Sequence, residues 1–157
     1  MADERSACDR AIIEQQLGRP PRAFRRVAAR CPFGRPAVAE QSPYDENGKP
    51  FPTTFWLTCP HLVAAVSRLE AAGGVERWSE LARVDPALRV SLEAAENDQR
   101  TLRPELGVGI GGASRRGSLK CLHAHGAYAL ARNGYELGDR ILAELDGRWP
   151  DDRCGSD

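Results

Sequence analysis

Pro50-Phe51-Pro52-Thr53-Thr54-Phe55-Trp56-Leu57-Thr58-Cys59-Pro60-His61-Leu62 is the stretch that decides the fold class. From Pro52 to Leu57 it is aromatic and β-branched, which predicts a strand, because such side chains suit a pleated, half-buried surface. At Pro60 the period changes: Leu62, Val66 and Leu69 recur at helical spacing. Proline is tolerated in the first turn of a helix, where its missing amide hydrogen is not needed, and Gly73-Gly74 predicts the end of that helix. A strand therefore runs straight into a helix at Cys59-Pro60, and the Cys59 thiol lies at the positive end of the helix dipole, which favours a thiolate.

Upstream, Asp9 to Leu17 predicts a short amphipathic helix with Asp9 as N-cap and Gly18 as its stop. Pro20-Pro21 then forces extended chain. Phe24 to Arg30 and Ala37 to Gln41 predict two short strands about the turn Cys31-Pro32-Phe33-Gly34-Arg35-Pro36, and Asn47-Gly48 is a tight-turn signal. Downstream, Pro86 opens a long helix toward Arg103 with Leu88, Leu92, Ala95 and Leu102 as its apolar stripe. Gly107 to Gly117 is a glycine-rich loop, Lys120 to Arg132 a further helix closed by Asn133-Gly134, and Leu137, Ile141, Leu142 and Leu145 mark a last amphipathic helix. The expected fold is α+β: a helix-rich single domain over residues 9–154, with a small, mostly antiparallel sheet from the N-terminal third. Residues 1–8 and 155–157 are expected to be flexible ends.

The bulk properties fit this. A chain of 157 residues can bury a real core, and 41% apolar with 28% charged residues is a globular composition. Zero net charge argues against a strongly nucleic-acid-binding protein or a polybasic membrane binder. Lys49 and Lys120 are the only lysines, so the positive charge is almost all arginine. No apolar leader follows Met1 and no apolar run is long enough to span a bilayer, so the expected location is the cytoplasm, where thiols stay reduced.

The cysteines carry the chemistry. Cys31 and Cys59 are each followed by proline, Cys121 sits in Lys120-Cys121-Leu122-His123-Ala124-His125, and Cys154 is near the C-terminus. Five cysteines cannot all pair within one chain, and Cys8, in a polar opening stretch, reads as the bystander. Thiols and imidazoles are what soft and borderline metal ions prefer. No two cysteines lie within four residues of each other, which argues against an ordinary zinc finger. Separated thiolates also hold iron–sulfur clusters. Cys31, Cys59, Cys121 and Cys154 are thus a candidate four-thiolate set for an iron–sulfur cluster, with zinc on cysteine plus His125 or His61 close behind. On a helix beginning at Lys120, Cys121 and His125 are i and i+4 and share a face; His123 points away and reads, like His61, as a surface or capping residue. The same pairing suits an enzyme without metal, with Cys59 or Cys121 as nucleophile and His125 as base. A third reading is a scaffold whose buried thiols only pack.

Gly107-Val108-Gly109-Ile110-Gly111-Gly112 precedes Arg115, Arg116 and Lys120 and then a helix. Glycines let backbone N–H groups approach an anion, so Gly111, Gly112, Arg115, Arg116 and Lys120 form a candidate anion site. The loop is neither a phosphate-binding P-loop nor a dinucleotide fingerprint, since no Gly-Lys-Ser/Thr follows and a helix precedes it. A plain flexible connection between helices is the competing reading.

The blocks Arg30-Cys31-Pro32-Phe33-Gly34, Pro50 to Pro60 and Lys120 to His125 resemble the signature blocks of the DUF501 family of uncharacterised bacterial proteins, over about Asp9 to Cys154. The resemblance implies one family-wide domain and carries no activity with it. The chain departs from the pattern only at Asn133-Gly134-Tyr135-Glu136-Leu137-Gly138, where a turn such as Asn-Pro-x-Gly is expected.

Overall fold

A computed structural model describes residues 2–151. The helix α1 spans Ala2–Leu17, and two strands follow, β1 over Phe24–Arg30 and β2 over Pro36–Gln41. The third strand, β3, is short, Phe55–Leu57. Five helices follow among the described residues: α2 over Pro60–Ala71, α3 over Gly74–Val84, α4 over Pro86–Leu102, α5 over Leu122–Ala131 and α6 over Glu136–Glu144, with one 3-10 turn at Ile110–Gly112 between α4 and α5.

The sheet is antiparallel throughout, in the order β1-β2-β3. The central strand β2 is buried along its whole length, as a strand with a partner on each side and cover on its faces must be. Helix α1 packs on β1 and β2, while α5 lies along β3 and also meets α2 and α6. One continuous core results, running from Val38, Phe55 and Cys59 through Leu62, Leu122 and Tyr128 to Ile141. Two of the polar groups that enter it are held by partners. Glu40 is buried and pairs with Arg26 and, at 3.2 Å, with Arg103; Gln99 donates to the Thr54 hydroxyl at 2.6 Å. Among the described residues, no helix is long and apolar enough to cross a membrane.

The helix-rich α+β domain with a small N-terminal sheet is therefore as expected, and four local features differ. Helix α1 begins at Ala2 rather than Asp9, because residues 2–8 contain no helix breaker. Asp9 is thus not an N-cap; it lies within the helix, buried, and binds the Arg30 guanidinium at 2.7 Å. Gly73-Gly74 ends α2 but also opens α3: Gly73 takes a left-handed backbone (φ 83°) and α3 follows at once, burying Trp78 and Ala82. Finally, α5 begins at Leu122, since Cys121 has an extended backbone (φ −160°, ψ 127°). That difference of two residues rearranges the site.

Candidate functional site

The first turn of a helix leaves backbone N–H groups without intrahelical partners. No side chain near the start of α5 caps them. The cap comes instead from another helix: Glu70, in the last turn of α2, accepts the Leu122 amide at 2.7 Å through Oε1. The same oxygen lies 3.1 Å from Nδ1 of His123, and the other ring nitrogen, Nε2, lies 3.1 Å from the Ser67 hydroxyl, one turn back along α2. Cys121, at the N-cap, completes the group. One ligand atom each from Glu70, Cys121 and His123 lies within 4.8 Å of the other two, and among the described residues these three form the group able to surround a metal ion.

The electrostatics follow. The imidazole of His123 is held above its ordinary range, chiefly by a hydrogen bond with Cys121 and then by the Glu70 carboxylate, against the opposing effect of burial. Glu70 and His123 are each about a quarter exposed, 27% and 26% at the side chain, so water or a ligand reaches them.

Beside this trio is a cleft of about 350 Å³. Phe55, Trp56, Leu57, Val63 and Ala124 make it apolar, while Lys120, Cys121 and His123 bring charge and donors to it. The 3-10 turn supplies Gly111, whose positive φ of 68° permits a tight approach: a Cβ there would come within 2.9 Å of Ala124.

The expected site residues fall into separate places. Cys31 is buried in the β1–β2 turn, where its amide donates to Arg35 O at 2.9 Å. Cys59 is the fully buried N-cap of α2, as expected beside the N-terminus of that helix. Neither joins Cys121 in the convergent group, and Cys154 lies outside the described residues. His125 is wholly buried and faces the core, with Nδ1 2.6 Å from the Tyr135 hydroxyl. It does not share a face with Cys121, because a residue in extended conformation ahead of the helix does not follow the helical period. Burial drives the His125 imidazole down to about 4, so it is neutral, and burial also pushes the Tyr135 phenol up, keeping it a donor. His61 pairs with the Gly147 carbonyl.

The anion set divides likewise. Gly111 and Lys120 reach the cleft, whereas Arg116 donates to Asn97 on α4 at 3.2 Å, and Arg115 is exposed. The loop uses part of its backbone on itself: Gly109 N donates to Ala113 O at 2.8 Å and Gly112 N to Gly109 O at 3.1 Å. Gly112, at φ 76°, sits against Pro52, 2.9 Å from where a Cβ would be. These glycines serve close packing.

Sequence reasoning missed Glu70, Ser67 and His123. The Cys-x-His spacing held a signal for His123 once Cys121 is taken as an N-cap; nothing local marks Glu70, which reaches the site across 51 residues of chain.

A family model described as "Protein of unknown function (DUF501)" matches residues 27–107, from β1 through α4 and the chain just after it. No curated protein and no solved structure matches the chain.

Proposed function

The chain belongs to the DUF501 family, and we propose that it binds one zinc ion through Glu70, Cys121 and His123, with the remaining coordination position open to the cleft. The observation that carries this reading is the convergence of a carboxylate, a thiol and an imidazole from two helices on one point. Those are the ligand types zinc takes, and three protein ligands with an open position mark a catalytic rather than a structural centre. Ser67 adds support: metal-bound histidines hold their second nitrogen in a hydrogen bond that fixes the ring, and the Ser67 hydroxyl meets Nε2 while Nδ1 faces Glu70. Zinc in such a position supplies Lewis acidity or activates water. An iron–sulfur cluster on Cys31, Cys59, Cys121 and Cys154 has less support, since Cys31 and Cys59 bring no sulfur to the group around Cys121. A thiol ligand that has to stay reduced supports a reducing compartment such as the cytoplasm.

A second reading has its own observation. The closeness of Cys121 to His123, with Glu70 3.1 Å from the imidazole, is also the arrangement of a nucleophilic thiol with its base and an orienting carboxylate. Metal content decides between them. Protein purified from zinc-containing medium is expected to hold one equivalent of zinc, and Cys121→Ser or His123→Gln to hold little; Ser67→Ala is expected to weaken binding by about tenfold or more. Metal-free protein whose Cys121 is alkylated far faster than Cys8 favours the thiol enzyme and rejects the zinc centre.

A further inference from the structure

Among the described residues, strand β3 ends the sheet and pairs on one side only, with β2. Its register is Val38 with Leu57, Ala39 with Trp56 and Glu40 with Phe55. The flanking bonds fix which residues face the partner: Gln41 N donates to Thr54 O at 2.7 Å, and Thr58 N to Ala37 O at 3.0 Å. In an antiparallel ladder the main-chain groups of successive residues point to alternate sides. Thr54, Trp56 and Thr58 therefore face β2, and Phe55 and Leu57 turn their N–H and C=O groups the other way.

That other way is the cleft. A strand that meets a cavity with its face contributes every second residue, whereas Phe55, Trp56 and Leu57 all line this one, and Thr53 with them. The cavity thus lies along the strand's open edge. Phe55 and Leu57 are only 5% and 3% exposed, and no strand among the described residues covers that edge. Main-chain groups withdrawn from water need partners, and an open edge is a template for another chain.

We propose that the cleft takes an extended peptide segment of a partner protein, which adds to β3 as a fourth strand and hydrogen-bonds to the main chain of Phe55 and Leu57. Donors and acceptors repeated every second residue match the period of an extended peptide. Val63 and Ala124 offer an apolar wall to its side chains, and Lys120 favours an acidic segment over a basic one. The segment passes Cys121 and His123, so one of its groups lies next to the trio. This goes beyond the zinc reading and stands on the geometry of the strand edge, with or without a metal.

A random heptapeptide display library selected on the immobilised full-length protein tests it, followed by synthesis of the most enriched sequence and of analogues N-methylated one residue at a time. N-methylation at alternate residues is expected to weaken binding by about tenfold, the loss of one hydrogen bond, and at the intervening residues to leave it nearly unchanged. Bound peptide slows amide exchange at Phe55 and Leu57. An enriched peptide indifferent to N-methylation, unchanged exchange at Phe55 and Leu57, or no enrichment over bare support would each overturn the proposal. Failure of the zinc reading leaves these outcomes unaffected, because the peptide is measured on metal-free protein as well.

Discussion

His123 and His125 stand two residues apart and have opposite fates. His123 meets a sulfur and a carboxylate at the surface of the domain and is raised; His125 is sealed in the core against Tyr135 and is lowered to about 4. The stability consequences have opposite sign. An imidazole lowered in the fold binds its proton more readily when unfolded, so the His125 contribution is present above about pH 6.5 and is lost as pH falls through about 4; by linkage that loss is on the order of 3 kcal/mol. An imidazole raised in the fold contributes below its unfolded value and is lost as pH rises through its folded one. Urea titrations across pH are expected to show His125→Gln flattening the acid decline, and His123→Gln costing more near pH 6 than near pH 9. An acid decline in the His125→Gln protein as steep as in the wild type would refute the assignment of that limb to His125.

At the scale of elements, caps and close approaches do most of the positioning. Asp85 caps α4, accepting from Ala87 N at 2.9 Å and Leu88 N at 3.4 Å, with Pro86 at the next position; Asp85→Ala is expected to cost about 1 kcal/mol in denaturant unfolding. Helix α6 approaches α5 at Gly138, where a Cβ would come within 2.5 Å of the Tyr135 ring and 2.7 Å of Ala129. Gly138→Ala forces those elements apart and is expected to cost about 1–3 kcal/mol, read as a lowered Tm. Most of this level was legible in the sequence. The Pro86 helix with its Leu88, Leu92 and Ala95 stripe, the switch at Cys59-Pro60 and the three N-terminal strands all follow from period and turn chemistry. Helix α3 was not foreseen, because Gly73-Gly74 reads as a stop, although Val75, Trp78 and Ala82 carry a helical spacing. The start of α5 was misplaced by two residues because the backbone at Cys121 is extended and its cap comes from Glu70, a contact no local pattern encodes.

For the whole molecule, the candidate site is a joint. Glu70 and Ser67 come from α2, Cys121 and His123 from the start of α5, and the cleft beside them is walled on one side by β3. Of the dispersed cysteines, Cys121 alone reaches this place within the described residues, and which of them would do so depended on tertiary packing rather than spacing. A ligand that binds only the folded state stabilises it by mass action. Zinc is therefore expected to raise the Tm of the wild type and to leave that of Cys121→Ser unmoved.

The X-ray absorption spectrum of zinc bound to the protein at one equivalent tests the proposed centre most directly. One sulfur is expected at ~2.3 Å, with the remaining ligands nitrogen and oxygen at about 2.0–2.2 Å, and the sulfur shell is expected to be lost in Cys121→Ser. A shell of three or four sulfurs, or a protein that takes up no zinc, would contradict it.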